Sequence, residues 1–194
     1  MGVRTGRGDK GFTDLSFRKD ISKDSVEIRA IGDLDELVSL LGLIRTRTSL
    51  RKDKSVIERI QHTIYMIVSE IAVGVEKKEH LGELLREEES EWIKSLVYTL
   101  EEKVRPRSCF HLPGDNELSA LFDVARTVAR RAERSVVGLF QKDKITNENI
   151  LAYLNCVSDV LFIMARDKAQ KKTKKKAKKK KVSAKKRKRK GAGR

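Results

Sequence analysis

The sequence predicts an all-α protein, a five-helix up-and-down bundle followed by a disordered basic tail, and three observations carry that reading. Only two prolines occur in 194 residues, Pro106 and Pro113, and both fall in one short segment, "RPRSCFHLPGDN". The long remainder is therefore free to be helical. Apolar residues elsewhere recur at intervals of three and four, the mark of amphipathic helices. Nothing alternates with a period of two over a useful length, so almost no sheet is expected.

The chain opens on a glycine-rich stretch, "GRGDKG" at residues 6–11, which matches G-x-G-x-x-G. That spacing signals a dinucleotide fold only between a strand and a helix. Here the first glycine is residue 6, so no buried strand fits before it, and "FTDLSFRKDISKDS" after it has no helical period. A flexible glycine-rich N-terminus is the plain reading. The first helix comes next in "VEIRAIGDLDELVSLLGLIRT", through Ile28, Ile31, Leu34, Leu37, Val38, Leu41 and Ile44. The second, "SVIERIQHTIYMIVSEIAVGV", repeats the pattern through Val56, Ile60, Ile64, Ile67 and Ile71. The third, "LGELLREEESEWIKSLVYTLEEKV", is more charged, with Leu85, Trp92, Leu96 and Leu100 inward, and is expected to be outermost. Asp115 or Asn116 can cap the fourth, "ELSALFDVARTVARRAERSVVGLFQ", with Gly138 near its end. The fifth starts near "TNEN" and runs through "ILAYLNCVSDVLFIMARDKAQ". Five helices of about 20 residues joined by short loops make a bundle domain over 1–168, with 169–194 as a tail.

Charge divides the chain at the same place. The formal net charge is +16, but 17 Lys and Arg and no acid lie between Lys168 and Arg194, so residues 1–167 are balanced to within one charge. Such a low-complexity, self-repelling tail has too little apolar surface to offset its ordering entropy. Two cysteines, Cys109 and Cys156, form no disulfide framework, and His62, His80 and His111 offer no H-x-x-x-H pair. No N-terminal apolar h-region and no run of about 18 apolar residues is evident. A soluble, cytoplasmic protein in a reducing setting is expected.

The fourth helix carries Arg126, Arg130 and Arg134 at every fourth residue, with Arg131 and Glu133 beside them. Glu133 is the only acid between Asp123 and Asp143, and the intervening residues are largely Ala and Val, so part of the arginine set borders a core. A solvated, locally paired face is the bland account of such a row. A phosphate or a partner's carboxylate would resolve the repulsion better, since both suit the guanidinium fork. On the first helix Asp35 shares a face with Ser39, Gly42 and Thr46, small residues that let another helix approach, from the same chain or from another subunit. Asn155, in an apolar stretch of the fifth helix, either bonds a neighbouring helix or faces a ligand. Phe110, before "HLPG", reads on spacing alone as a core anchor for its loop.

Six segments in order resemble one family, the ATP:cob(I)alamin adenosyltransferases of the propanediol-utilisation type. They are T-x-x-G-D-K-G, here Thr5 to Gly11; Lys23-Asp24; "GDLDEL"; "FHLPG"; "RTVARRAER"; and "YLNCVSD", together spanning roughly residues 3–168. The resemblance implies a five-helix bundle assembled as a homotrimer, with each active site between adjacent subunits. It implies transfer of the 5′-deoxyadenosyl group of ATP to reduced corrinoid cobalt, giving adenosylcobalamin and triphosphate. Residues 1–24 would be the ATP-binding loop, with Thr5, Gly6, Arg7, Gly8, Asp9, Lys10, Thr13, Asp14 and Lys23 around the nucleotide. Arg130, Arg131, Glu133, Arg134 and Asn155 would hold its phosphates, sugar and Mg²⁺, the ion being carried mainly by ATP. Asp35 would pair with Arg130 across the subunit boundary, and Phe110 would press on the lower corrin face. A corrinoid reductase is the natural electron-supplying partner.

Four features depart from that pattern. Gly6-Arg7 stands where Lys-Thr is common, Asp33 replaces a usual Thr or Ser, Ser135 comes after "RRAER" where another arginine is frequent, and the lysine-rich tail lies outside the family core. The tail also keeps a second reading open, a helical protein that binds nucleic acid or another anionic surface through its C-terminus.

Overall fold

The computed structural model describes residues 6–80, 82, 84–106 and 110–191, the side chains of 7, 78–80 and 171–191 excepted. Its elements run in chain order: a turn of 3-10 helix at Arg7–Lys10, strands β1 (Phe12–Leu15) and β2 (Arg18–Ser22), then helices α1 (Val26–Arg47), α2 (Arg51–Val73), α3 (Glu87–Val104), α4 (Glu117–Phe140) and α5 (Glu148–Gly191). The all-α expectation therefore holds, with one small antiparallel hairpin that periodicity could not show. Its strands are four and five residues long, and they pair Phe12 with Ser22 and Thr13 with Ile21. So short an element presents no run of alternation to read.

Local chemistry sets the helix ends. The Ser25 hydroxyl accepts from the Ile28 amide at the start of α1, and Asn116 forms a capping box with Ser119 at the start of α4. Of the two caps expected there, Asn116 is the one used. Gly138 lies inside α4 rather than beyond it, and α4 ends at Phe140.

Packing arranges α4 against both α1 and α5, with α3 on the far side of α5 and α2 on the far side of α1. Along α4, Ala125, Ala129, Ala132 and Val136 are essentially buried and lie at offsets of 4, 7 and 11, a narrow stripe that lets neighbouring helices come close. The isoleucine ladder of α2, Ile57, Ile60, Ile64, Ile67 and Ile71, faces Leu34, Leu37, Leu41 and Ile44 of α1 within one core. Each such side chain contributes about 1.5–3 kcal/mol on burial. The third helix is the most exposed, as expected, but its inner residue is Ile93, with Trp92, Leu96 and Leu100 only partly covered. Leu85 is buried in the segment before the helix, not on it.

Two polar clusters close the ends of the bundle. At one end Arg166 pairs with Asp123, and Lys168 Nζ donates to Asp53 Oδ2 at 2.5 Å, all four side chains being nearly fully buried. Thr48 Oγ1 also donates to Asp53, and Asn116 Nδ2 donates to the Lys168 carbonyl at 3.2 Å. At the other end Asn147 Nδ2 donates to Glu70 and to the Leu85 carbonyl, while Glu27 accepts from Arg18 at 3.2 Å and lies 3.4 Å from Lys144. That last group fastens the hairpin to α1. Gly74, at φ +75°, lets Arg18 lie over the backbone, where a Cβ would meet its guanidinium at 3.3 Å.

Two expectations about the C-terminal part are corrected. Residues 148–170 are, by length and composition, apolar enough to cross a membrane, although no such run stands out in the sequence. In the structure this segment is a central helix of the bundle, more than half buried and carrying the two buried ion pairs. The expected boundary at 168 also moves, because Ala169 is buried and Gln170 Nε2 still donates to the Val104 carbonyl. Beyond it the lysine-rich backbone continues helical to Gly191. Lysine and alanine are good helix formers, and no proline or glycine intervenes before Gly191.

The end clusters make two predictions. Asp53→Ala leaves the buried Lys168 ammonium with only the Asp167 carboxylate, 3.0 Å away, and lowers unfolding free energy by about 3 kcal/mol, whereas Asp53→Ala with Lys168→Met recovers most of the loss in urea denaturation. For Glu27, burial raises the carboxyl, but its backbone hydrogen bond, the Arg18 hydrogen bond and the charges of Lys144 and Arg18 outweigh this and hold it below its ordinary 4.5. A depressed carboxylate contributes stability above its unfolded pKa and loses it as pH falls through the folded one. Glu27→Gln therefore lowers Tm at pH 7, and the gap to the parent closes below about pH 4 in thermal melts run across pH.

Candidate functional site

The N-terminal loop is shaped by two glycines in the left-handed region, Gly6 at φ +70° and Gly11 at φ +80°, which bracket the single turn Arg7–Lys10. Lys23 ties this turn down: its Nζ donates to the Gly8 carbonyl at 2.8 Å and its amide to the Gly11 carbonyl at 2.9 Å. The glycines lead into a hairpin and not a helix, so the dinucleotide-fold reading is closed. Thr13 and Asp14 line an open cleft of about 280 Å³ with Phe12, Lys19 and Asp20. Asp14 is committed in part to the hairpin, since its Oδ1 accepts from the Asp20 amide at 3.1 Å. Asp9 and Lys10 are exposed. Thr5 and the Arg7 side chain lie outside the described residues.

A second constellation lies where α4 meets α5. Arg130 and Arg134 are exposed on α4, and Arg134 Nη1 donates to the Arg130 carbonyl at 2.9 Å, while Glu133 between them is half-buried. Asn155 on α5 is exposed and its amide bonds no described residue, which removes the helix-bonding alternative within the chain. One turn on, Asp159 carries a carboxyl that burial raises, that the charge of Arg130 pulls back down, and that Glu101 raises further. Arg130 and Asp159 thus act on each other across the α4–α5 groove. Sequence reasoning misses Asp159 as a site residue, although it ends "YLNCVSD" and lies four residues from Asn155. Burial likewise raises the neighbouring Cys156 thiol, as do Asp159 and Glu91, while Lys94 lowers it.

The α5 face of this groove continues at offsets of 4, 7 and 11 from Asn155 through Asp159, Phe162 and Arg166. Phe162 meets the His111 ring, centroids 6.4 Å apart, and lies 5.6 Å from the Arg166 guanidinium. His111 brings the "FHLPG" loop to this end, and its neighbour Phe110 is wholly exposed. The core-anchor reading of Phe110 is therefore wrong for this chain. A polar stretch around Asn155 and an aromatic end at Phe162 stand about 10 Å apart along one helix.

Arg131 behaves differently from its neighbours. Its Nε donates to Asp33 Oδ1 at 2.9 Å, its Nη2 pairs with Glu36, and Ser135 Oγ donates to Asp33 Oδ2 at 2.5 Å. It is a strut between α1 and α4, with its fork already occupied, and the expected phosphate role does not fit it. The same geometry unites two departures from the family pattern, because Asp33 and Ser135 touch each other. Asp35 is exposed and pairs with no described residue, as is also true of Arg130. Of Asp35's small-residue face, Gly42 is covered within the chain by Gln61, 3.5 Å from where a Cβ would lie. Ser39, Leu43 and Thr46 stay exposed. Arg126 has its Nε buried without a partner, an unmet demand for an acceptor.

Comparison with known proteins gives one consistent likeness. The family described as cobalamin adenosyltransferase matches residues 3–168. The chain is 33% identical over 170 residues to a corrinoid adenosyltransferase of Bacillus subtilis, with 86% of each chain covered. It is 34% identical over 169 residues to a cobalamin adenosyltransferase of Cupriavidus metallidurans, covering 84% of this chain and 86% of that one. Among solved structures, a phenylalanine-to-alanine variant of a PduO-type ATP:corrinoid adenosyltransferase from Lactobacillus reuteri, complexed with cobalamin and ATP, is similar with a TM-score of 0.79 at 28% identity. That match covers 85% of this chain and 92% of the other.

The Arg131 strut makes a prediction that stands apart from these likenesses. Asp33→Asn and Ser135→Ala each weaken the same link, so their destabilisations are non-additive, with a coupling of about 0.5–3 kcal/mol in a double-mutant cycle read by urea unfolding. Additive losses would show that the two residues act separately.

Proposed function

The chain belongs to the cobalamin adenosyltransferase family and is an ATP-dependent corrinoid adenosyltransferase, and we propose that the α4–α5 groove, closed by the N-terminal loop, is its active site. The enzyme transfers the 5′-deoxyadenosyl group of ATP to Co(I) of a reduced corrinoid. The cobalt electron pair forms the Co–C5′ bond as the C5′–O bond breaks, and triphosphate leaves with the electron pair of that broken bond. Co(I) is itself the nucleophile, so no side-chain base or nucleophile is required. The groups named at this site, two arginines, an amide and a carboxyl, suit this.

What the protein must supply is a fixed position for C5′ and a preorganised answer to the charge growing on triphosphate. Arg130 and Arg134 meet that charge, with the Arg130 guanidinium hydrogen-bonded to no described residue of its own chain. Asn155 holds the sugar or phosphate edge, and Gly6, Gly8, Lys10 and Thr13 bring the loop over the nucleotide. Lys23 serves first as the tie that shapes the loop. Among the described residues no three His, Cys, Asp or Glu side chains cluster as a metal cage. Mg²⁺ would be held mainly through ATP phosphates, with Glu133 the acid on the arginine turns. Phe110, a fully exposed ring at the aromatic end, faces the corrin and keeps a water or base from the lower axial position. The single observation that carries this reading is that α5 sets Asp159, one turn from Asn155, against the charge of Arg130 on α4 and meets through Phe162 the His111 that follows Phe110.

The same observations favour an assembly, a homotrimer with sites between adjacent subunits. Asp35 and the Arg130 guanidinium hydrogen-bond no described residue, Arg126 has a buried Nε without a described partner, and Leu43 and Val124 are exposed on the same helices. A neighbour's Asp35 would satisfy one of these arginines. A corrinoid reductase would deliver the electron that makes Co(I).

Arg130→Ala and Asn155→Ala each cut turnover at least about tenfold, an order of magnitude typical of lost transition-state contacts, as followed by the absorbance change of cob(I)alamin with ATP and Mg²⁺. Phe110→Ala lowers kcat while leaving the KM for ATP and the Tm near the parent values, because the ring covers no core. Parent-like turnover in all three would remove the groove from the reaction.

A further inference from the structure

The active site proposed above assigns no role to the C-terminal basic residues, although they carry the whole of the chain's net charge. Among the described side chains the last ones tied into the bundle are Lys168, buried against Asp53, and Gln170, which bonds Val104. Residues 171–194 hold 16 of the 44 basic residues and none of the 28 acids, which leaves residues 1–170 with 28 basic and 28 acidic residues. An electrically neutral enzyme thus carries a separate, purely cationic arm. We propose that residues 171–194 bind the phosphodiester backbone of double-stranded nucleic acid and tether the enzyme to it.

Three features select that partner. The backbone is helical to Gly191, so residues 171–190 extend about 30 Å. They contain 15 Lys and Arg, about one charge per 2 Å, close to the one phosphate per about 1.7 Å of duplex DNA. A helical polycation repels itself, and a matching polyanion removes that repulsion. The apolar residues of this stretch are Ala177, Val182 and Ala184, at offsets of five and two. This is not the spacing of an apolar face, so neither membrane insertion nor helix-in-groove docking is served. No aromatic residue occurs beyond Phe162, so bases have nothing to stack on and recognition is independent of sequence.

The arm also stands apart from the chemistry. Residue 171 lies about 24 Å along α5 from Asn155, too far for its own chain's lysines to meet ATP phosphates in the groove. If the enzyme is the trimer proposed above, three arms act together and raise the effective affinity for one polymer. The tether itself does not depend on that assembly, nor on the assignment of the active site.

The test compares the full chain with a chain ending at Gln170, without ATP or corrinoid, by fluorescence anisotropy of a DNA duplex of about 30 base pairs and the RNA duplex of the same sequence. Co-sedimentation with vesicles of about one-third anionic lipid is run in parallel. The full chain binds duplex at about 0.15 M salt, loses on the order of 10³-fold in affinity between about 50 and 200 mM salt, and binds unrelated sequences alike. Truncation reduces affinity at least about 100-fold and leaves adenosylation within about twofold of the parent. Preference for one duplex identifies the polymer. Duplex binding that survives truncation, tighter capture by vesicles than by either duplex, or loss of adenosylation on truncation would each overturn the proposal. A full chain that binds duplex yet adenosylates nothing would sink the active-site reading and leave the tether standing.

Discussion

The close approach of α4 to its two neighbours is the constraint on which the rest of this molecule depends. Its inner stripe is Ala125, Ala129, Ala132 and Val136, so α1 and α5 can lie against it with little side-chain volume between. A helix packed so deeply has few positions left at its margins. Those positions hold the arginines, and each is forced into a definite relation with one neighbouring helix. Arg131 falls toward α1 and is neutralised there by Asp33 and Glu36. Arg130 falls toward α5 and acts on Asp159 without a full pairing. One turn of sequence is thereby divided between holding the fold together and leaving a cation available, and larger inner residues would spread the helices and blur that division.

Much of this is legible in the residues. The isoleucine and leucine spacing locates all five helices, and the six motifs place Arg130, Asn155 and the glycine loop in one enzyme family. Other features lie beyond sequence reasoning for physical reasons. The hairpin at 12–22 is too short to show a period. Arg131 looks identical to Arg130 on paper, because only the rotation of α4 decides which of two adjacent guanidiniums meets α1. Phe110 reads as core because aromatic residues usually are, and only the loop's path around the end of α5 shows it bare. The tail boundary shifts from 168 to 170 because only the packed helices show Ala169 buried and Gln170 bonded to the Val104 carbonyl.

The two ends of the bundle differ in what they demand. The end with Asp53, Asp123, Arg166 and Lys168 is dry, and its ion pairs specify how far α5 slides along its neighbours more than they add net stability. The register of α5 in turn sets the height of Asn155 beside Arg130 and Arg134. The opposite end is wetter and holds the hairpin through Arg18 and Glu27. There Lys23 gathers the loop onto the Gly8 carbonyl from within the chain.

The finish of the core at Gln170 has a consequence for how this chain changes over generations. Among the described side chains the last ones tied into the bundle are Lys168 and Gln170. On the tether proposed above, position 171 is a socket at which one catalytic body can take up a different address while its core stays the same.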